Sequence, residues 1–410
     1  MVKTLHVGID LSQKVNATQF MDQDGQVVHK PFGFPNNLDG LEAFVAKLIP
    51  IITSHGFSRV KIGMEATGYY WWHLREYLDE HPTLNNMAEI ELFVINPSLV
   101  KAFKKAYPTL PKTDFVDAWV IADRLRFGRL KPITEKDLRY QPLQRLTRLR
   151  YTLVRNATGE KNRALGLLFL KFPEYTTVAG HRTFAKGPIS LISEFTLDEI
   201  LDKPVEELAQ FVVEQGNARF SNPELFIEEL KKAARRSYRL NDKMQNSVDV
   251  ALSMTLENIQ FLKGQVKKLD RVIAKEVEAI PNTLRSVPGI GPVLAAGIIS
   301  EVGDITRFYS DAALARFAGL TWTRYQSGEF EAEDTSLTKA GNFYLRYYLV
   351  EAANSLRLHN PEYAAFYKRK HSEVPKHQHK RALVLTARKF VRLVFALLSK
   401  GQIYKGRRES

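Results

Sequence analysis

The chain contains no cysteine in 410 residues. That absence excludes disulfides, zinc ribbons, iron–sulfur clusters and any cysteine nucleophile, and it suits a reducing compartment. Long apolar runs are missing too. No uninterrupted stretch reaches the roughly 18 residues of a membrane span, so no membrane association is expected. Met1 to Asp10 turns polar too early for a signal peptide. Tandem repeats and low-complexity tracts are absent. Acid is scarce relative to base: 45 Asp and Glu stand against 59 Lys and Arg, a net charge of +14. What is present is ordinary globular composition, 44% hydrophobic and 25% charged, which rules out a disordered chain. The length suggests about two to three domains. The expected class is a soluble, cytoplasmic, multidomain protein with a polyanionic partner, most simply nucleic acid.

The first third alternates strand and helix signals. Leu5 to Asp10 reads as a buried strand and Asn16 to Met21 as a second, followed by a turn at Asp22 to Gln26 and a third strand from Val27. Helical spacing runs from Asn37 to Leu48, a strand from Val60 to Glu65, a helix from Tyr69 to Leu78, a strand from Glu91 to Ile95, and a helix from Asp114 to Phe127. This order predicts a mixed α/β domain rather than a simple doubly wound one. From Leu143 the chain is helical and basic, with Arg145, Arg148, Arg150, Arg155, Lys161 and Arg163. A less regular stretch from Tyr175 to Asn222 precedes a long apolar pattern: Leu252, Leu256, Ile259, Leu262, Val266, Leu269, Ile273, Val277 and Ile280. Spacing by three and four over about four heptads predicts a coiled coil, between chains or as a hairpin; a plain core helix is the alternative. Pro281 and Pro288-Gly289 open a further, mostly helical region with a polar insert at Thr321 to Thr335. The expected divisions are 1–135, 136–280, 281–400 and a frayed tail at 401–410.

Four acids stand out in the first region. Asp10 ends the Val7-Gly8-Ile9 strand, Glu65 ends Ile62-Gly63-Met64, and Asp114 and Asp117 share one face of a helix. Hard carboxylate oxygens suit Mg²⁺, and paired ions activate the attacking and stabilise the leaving oxygen in phosphoryl transfer. Taken singly, each acid is equally a turn residue or helix cap; Asp123, nine residues beyond Asp114, lies too far along the helix to join them.

The last region carries Pro288-Gly289-Ile290-Gly291, a turn that presents backbone N–H groups at a helix N-terminus. Gly289 and Gly291 can thereby meet a phosphate without reading a base, or serve a plain helix–helix turn. Ser327-Gly328 and the segment Thr335-Ser336-Leu337-Thr338-Lys339-Ala340-Gly341-Asn342 follow, then Arg346. No Ser-His-Asp set accompanies Ser327, so a nucleophilic role needs an electrophile activated elsewhere. The basic clusters Lys368-Arg369-Lys370-His371 and Lys376 to Arg381, with Lys380 and Arg381 at their end, suit phosphate contact or a solvated face. His377 and His379 are two apart and make a poor metal pair. The aromatics from Tyr344 to Tyr367 have core spacing.

Together the motifs Val7-Gly8-Ile9-Asp10-Leu11-Ser12, Met64-Glu65-Ala66-Thr67-Gly68-Tyr69, Asn96-Pro97 and Lys112-Thr113-Asp114-Phe115-Val116-Asp117 resemble the DEDD transposases of bacterial insertion sequences, relatives of Piv-type DNA invertases. The resemblance covers about residues 5–400. It implies a RuvC-like, ribonuclease-H-like first domain in which Asp10, Glu65, Asp114 and Asp117 hold Mg²⁺. It implies a helical, coiled-coil middle and a C-terminal transposase domain with a helix-hairpin-helix-like motif. That domain has a serine that attacks DNA, matched by Ser327 with Ser336 as the fallback. Gly289, Gly291, Lys339, Arg346, Lys380 and Arg381 are the candidate nucleic-acid contacts. The resemblance further implies DNA as donor and target, a bridge RNA as guide, and a dimer that pairs into a tetramer, with a site assembled from both domains. One departure is local: the segment after Ser327 is acidic here, with Glu329, Glu331, Glu333 and Asp334, where the family is often basic. Two other readings stay open. A metal-dependent nuclease or junction resolvase would use water in place of Ser327, and a non-catalytic nucleic-acid-binding protein would use the acids as caps.

Overall fold

The computed structural model describes residues 2–134, 138–216, 220–322 and 336–406, and the backbone of 326–327 and 330–331. It divides into two compact units, Met1–Arg139 and Tyr140–Ser410.

The first unit is built on a mixed five-stranded sheet, order β3-β2-β1-β4-β5. Its strands are β1 (Thr4–Asp10), β2 (Val15–Met21), β3 (Val27–Pro35), β4 (Arg59–Glu65) and β5 (Glu89–Ile95). β1 to β3 are antiparallel neighbours, whereas β1, β4 and β5 run parallel. Strand side chains alternate between faces. Leu5, Val7 and Ile9 of β1 and Ile62 and Met64 of β4 enter one buried cluster with Phe44 and Leu48 of α1 (Leu38–His55). That helix outruns its expected end at Leu48: Pro50 does not stop it, because Ile51 and Ile52 stay buried and Gly56, at φ 68°, closes it by donating to Ile52 O and Thr53 O. Short helices α2 (Trp71–Glu80) and α3 (Pro82–Met87) connect β4 to β5, and α4 (Pro97–Lys104) follows β5.

The opposite face takes α5 (Asp114–Phe127), whose Val120, Ile121 and Leu125 pack with Phe93 and Ile95 of β5. Gly8 and Gly63 lie on this face. A Cβ at Gly8 would stand 2.0 Å from Ala118 O, and one at Gly63 would meet Leu125 and Ile121 at 2.8 and 3.1 Å. The two glycines therefore let the helix backbone sit directly on the sheet. Asp10 and Glu65 follow at the next position of the same parity.

The second unit is helical. Its axis is a pair of long helices, α6 (Gln141–Lys171) and, after α7 (Tyr175–Ala179), α8 (Lys186–Glu194), α9 (Leu197–Asp202), α10 (Val205–Gln215) and α11 (Pro223–Ala234), the 35-residue α12 (Asp242–Glu276). Arg150 pairs with Asp270 and Lys171 with Asp249. A step of 21 residues up α6 matches a step of 21 down α12, so the two run antiparallel. The apolar row beginning at Leu252 lies on the buried or half-buried face of α12 within the chain. Helices α7 to α11 form their own core around Tyr175, Phe172 and Phe226 at one end of the pair. At the other end Leu269, Ile273 and Val277 join a core with α13 (Pro292–Val302), α14 (Asp311–Phe317), α15 (Phe343–His359), α16 (Pro361–Ser372) and α17 (Gln378–Lys400). The basic stretch and the C-terminal helices thus share one hydrophobic interior. No helix among the described residues is long and apolar enough to cross a membrane.

Candidate active site

β1 and β4 are parallel neighbours with Ile9 opposite Met64. Asp10 and Glu65, each one residue further on, therefore end adjacent strands on the face that carries α5. Thr113 starts that helix, its hydroxyl accepting from Val116 N at 3.3 Å. Asp114 and Asp117 occupy the first turn, where the helix dipole favours negative charge. Gly8 holds this helix against β1, so the two aspartates come over the strand ends.

The four carboxylates feel one another. The Asp10 carboxyl is pushed up to about 6, first by burial and then by the charges of Asp117, Asp114 and Glu65; only the Leu11 backbone N–H opposes this. Thr67 donates to Glu65 Oε1 at 3.2 Å. Lys104, at the end of α4, donates its ammonium to Asp117. Among the described residues no three acids or histidines stand close enough together to chelate an ion as they lie. The donor set still suits a hard divalent cation, because it is all oxygen and carries an excess of uncompensated negative charge. Asp123 does not belong to it. It is buried, accepts from Arg126 Nε at 2.7 Å and from the Tyr107 hydroxyl, and holds α5 to its surroundings.

In the second unit Ser327 lies in a two-residue strand, Gln326–Ser327, whose backbone pairs with Phe330–Glu331. Its side chain, and Glu329, Glu333 and Asp334, fall outside the described residues. The base of this segment is well defined. Trp322 bridges Leu337, Thr338 N donates to Thr321 O at 2.8 Å, and Asn342 N donates to Phe317 O at 2.6 Å. Ser336 is exposed beside that base. Asn342 then caps α15 by accepting from Leu345 N and donates to Glu301 Oε2 at 2.7 Å. Glu301 is wholly buried and also takes two hydrogen bonds from Arg148, at 2.7 and 2.9 Å, and one from Gln144.

Of the candidate nucleic-acid contacts, Gly289 has φ 94° and abuts Ser355 and His359, whereas Gly291, the N-cap of α13, faces open space. Lys339 is exposed, and its carbonyl accepts from Arg346 Nη1 together with that of Ala318. Arg346 thereby fastens the Gly319 turn to the Thr-Lys segment. Lys380 and Arg381 are exposed; Arg381 reaches Lys370 O and Glu373. Sequence reasoning missed Lys104 and Glu301, and it quoted Asn342 without giving it a role. For Glu301 a signal exists: it is the one charge in the apolar run Val293 to Val302.

Comparison with known proteins gives two family matches. A model of IS110-type DEDD transposases, described as transposase, matches residues 7–173, and a model described as transposase IS116/IS110/IS902 family matches residues 282–368. An uncharacterized 43.6 kDa protein of insertion element IS110 from Streptomyces coelicolor is 27% identical over 319 residues, 73% of this chain and 74% of its own. The transposase for insertion sequence element IS1111A from Coxiella burnetii is 24% identical over 76% of this chain and 72% of its own. A probable family 20 transposase from Pseudomonas aeruginosa is 24% identical over 72% and 70%.

Proposed function

The chain belongs to the IS110 family of DEDD insertion-sequence transposases, enzymes that cleave DNA and transfer its strands, and from that premise we propose how its residues divide the work. The first unit is a RuvC-like domain whose Asp10, Glu65, Asp114 and Asp117 hold Mg²⁺. The observation that carries this is the placement of Asp10 and Glu65 on adjacent parallel strand ends under the first turn of α5, with Asp10 pushed up to about 6 by burial and its three acidic neighbours. When bound, the ion supplies charge neutralisation at a scissile phosphate and polarises it towards attack.

Ser327 is the nucleophile. Its Oγ forms a bond to phosphorus, the bond from phosphorus to the 3′ oxygen breaks, the serine proton leaves to solvent, and the 3′ oxygen takes a proton to become a free hydroxyl. That hydroxyl then attacks the serine-linked phosphorus of the partner strand: a new bond from phosphorus to the 3′ oxygen forms, the bond from phosphorus to the serine Oγ breaks, the 3′ hydroxyl gives up its proton and the serine regains one. The hydrogen-bonded base at Thr321, Thr338 and Asn342, fixed to buried Glu301, gives the serine segment a rigid root. Gly291, Lys339, Arg346, Lys380 and Arg381 contribute backbone N–H and cationic contacts to phosphates, and Gly289 shapes the turn that presents Gly291. A bridge RNA guides the choice of donor and target, and the working particle is a homo-oligomer.

The test is a covalent trap. Protein, element-derived RNA, Mg²⁺ and DNA spanning an element end are mixed and run on a denaturing gel beside Ser327→Ala, Ser336→Ala and Asp10→Ala. An SDS-stable adduct lost in Ser327→Ala and Asp10→Ala is expected. Loss only in Ser336→Ala moves the nucleophile to that residue. Asp10-dependent cleavage with no adduct overturns the serine mechanism in favour of a water-using nuclease.

A further inference from the structure

A cleft of about 720 Å³ opens in the second unit between α6 and α15. Three of its walls are aromatic. Tyr151 of α6 meets Phe343 and Tyr347 of α15 edge-on at 5.3 and 4.8 Å between ring centres. Two arginines stand at its margin. Arg346 is tied by Nη1 to the carbonyls of Ala318 and Lys339, which leaves the rest of its guanidinium without a hydrogen-bond partner among the described residues. Arg155 makes no hydrogen bond or ion pair among the described residues, and it also lines a second cleft of about 540 Å³ on the α12 side of the same helix. Glu351, an exposed residue of α15, places a carboxylate at the rim.

Gly159 of α6 is exposed and lines both clefts. It sits in the interior of a 31-residue helix, where glycine costs about 1 kcal/mol relative to alanine. No turn or close helix contact requires it: a Cβ there would meet nothing within 4 Å. A cavity of this size, with aromatic walls and with two arginines and a hydrogen-bond acceptor in its lining, has the makings of a site for a single nucleotide. Bases stack on aromatic faces irrespective of sequence, and arginine serves the phosphate. A carboxylate at the rim accepts from the amino edge of a base and repels a misplaced phosphate.

We propose that this cleft binds one unpaired nucleotide of a single nucleic-acid strand, its base packing against the aromatic wall that Tyr151, Phe343 and Tyr347 form together and its phosphate held by Arg155 and Arg346. Its lining comes from α6 and α15 alone, and it needs no metal. Because Arg346 also fastens the Gly319 turn to the Thr-Lys segment, an occupied cleft stiffens the root of the serine loop.

The test uses the full chain in EDTA, so that no strand is cut. The probes are fluorescein-labelled 12-nucleotide strands of DNA and of RNA, each with one internal 2-aminopurine, and the matching blunt DNA duplex. Wild-type protein is expected to change the 2-aminopurine emission on binding a strand. Gly159→Leu fills the cleft and favours the helix, so it is expected to fold. It should weaken strand binding at least tenfold and abolish the emission change, while leaving duplex binding within twofold. Tyr151→Leu should show the same pattern, and Gly159→Ala should bind as wild type. The DNA and RNA arms tell which strand supplies the nucleotide. Undiminished strand binding by Gly159→Leu overturns the proposal. So does an equal loss of strand and duplex, which would make this face a general polyanion surface.

Discussion

The ammonium of Lys104 donates to the carboxylate of Asp117, so one of the four acids is already engaged by a cation of the chain itself. The pair is half-buried on both sides. Any divalent ion taking Asp117 must displace the lysine. Lys104→Met is therefore expected to bind Mn²⁺ several-fold more tightly than wild type, measured by titration calorimetry in the absence of DNA. Unchanged affinity would show that the lysine and the ion do not compete.

Asp10 gives a signed pH prediction. In the unfolded chain it ionises near 4, whereas in the folded chain it ionises at about 6. Stability is therefore lost as pH rises from about 4 to 6 and stays lower above that. Asp10→Asn removes the penalty. Screening at this half-buried group leaves a gain of about 1 kcal/mol, or roughly 2–4 °C in Tm. The gain should be present at pH 8 and vanish at pH 4. Added Mg²⁺ should raise the Tm of wild type and not of the variant.

Gly8→Ala tests the seating of α5. The new Cβ would fall 2.0 Å from Ala118 O, a main-chain atom with no rotamer to yield. Overpacking of this kind costs about 1–3 kcal/mol, and the displaced helix carries Asp114 and Asp117. The expected result is a lower denaturation midpoint with strand cleavage reduced by more than tenfold. A variant of normal stability and activity would contradict the close approach.

Glu301→Gln probes the root of the serine segment. The substitution keeps shape but leaves Arg148 without its bidentate partner and forces an amide N–H₂ towards donors. With Arg148 partly in solvent, a loss of about 2 kcal/mol is expected, read as a shift in urea midpoint. Glu301→Ala should cost more, since it also empties the space.

Much of the first unit was legible because its strands carry a parity signal. Gly8-Ile9-Asp10 and Gly63-Met64-Glu65 each set a glycine and an acid on one face and apolar residues on the other, and Lys112-Thr113-Asp114 carries its own helix cap. The antiparallel pairing in the second unit was less legible. The apolar row from Leu252 marked a long helix but not its partner, because α6 shows its basic residues more plainly than its apolar ones. Arg148 and Arg150 read as part of a basic stretch in sequence, yet they are taken by Glu301 and Asp270. A charge count cannot tell an internal pair from an external surface. The Ser327 segment gave no periodicity of its own, and its base at Asn342 is held by Glu301 and, behind it, Arg148, which lie far off in sequence.

The paired helices act as a ruler. At about 1.5 Å per residue, α12 spans some 52 Å, and its partner reads the same scale backwards, with Arg150 against Asp270 and Lys171 against Asp249. One residue inserted in either helix alone turns everything beyond it by about 100° and sets those charges out of phase. Length can therefore change only by matched steps in both helices, close to whole turns. The helices α7 to α11 are outside that phase rule, but they are tied to the end of the scale by a core that includes Ala164 and Leu168 of α6 and Leu252 and Ile259 of α12.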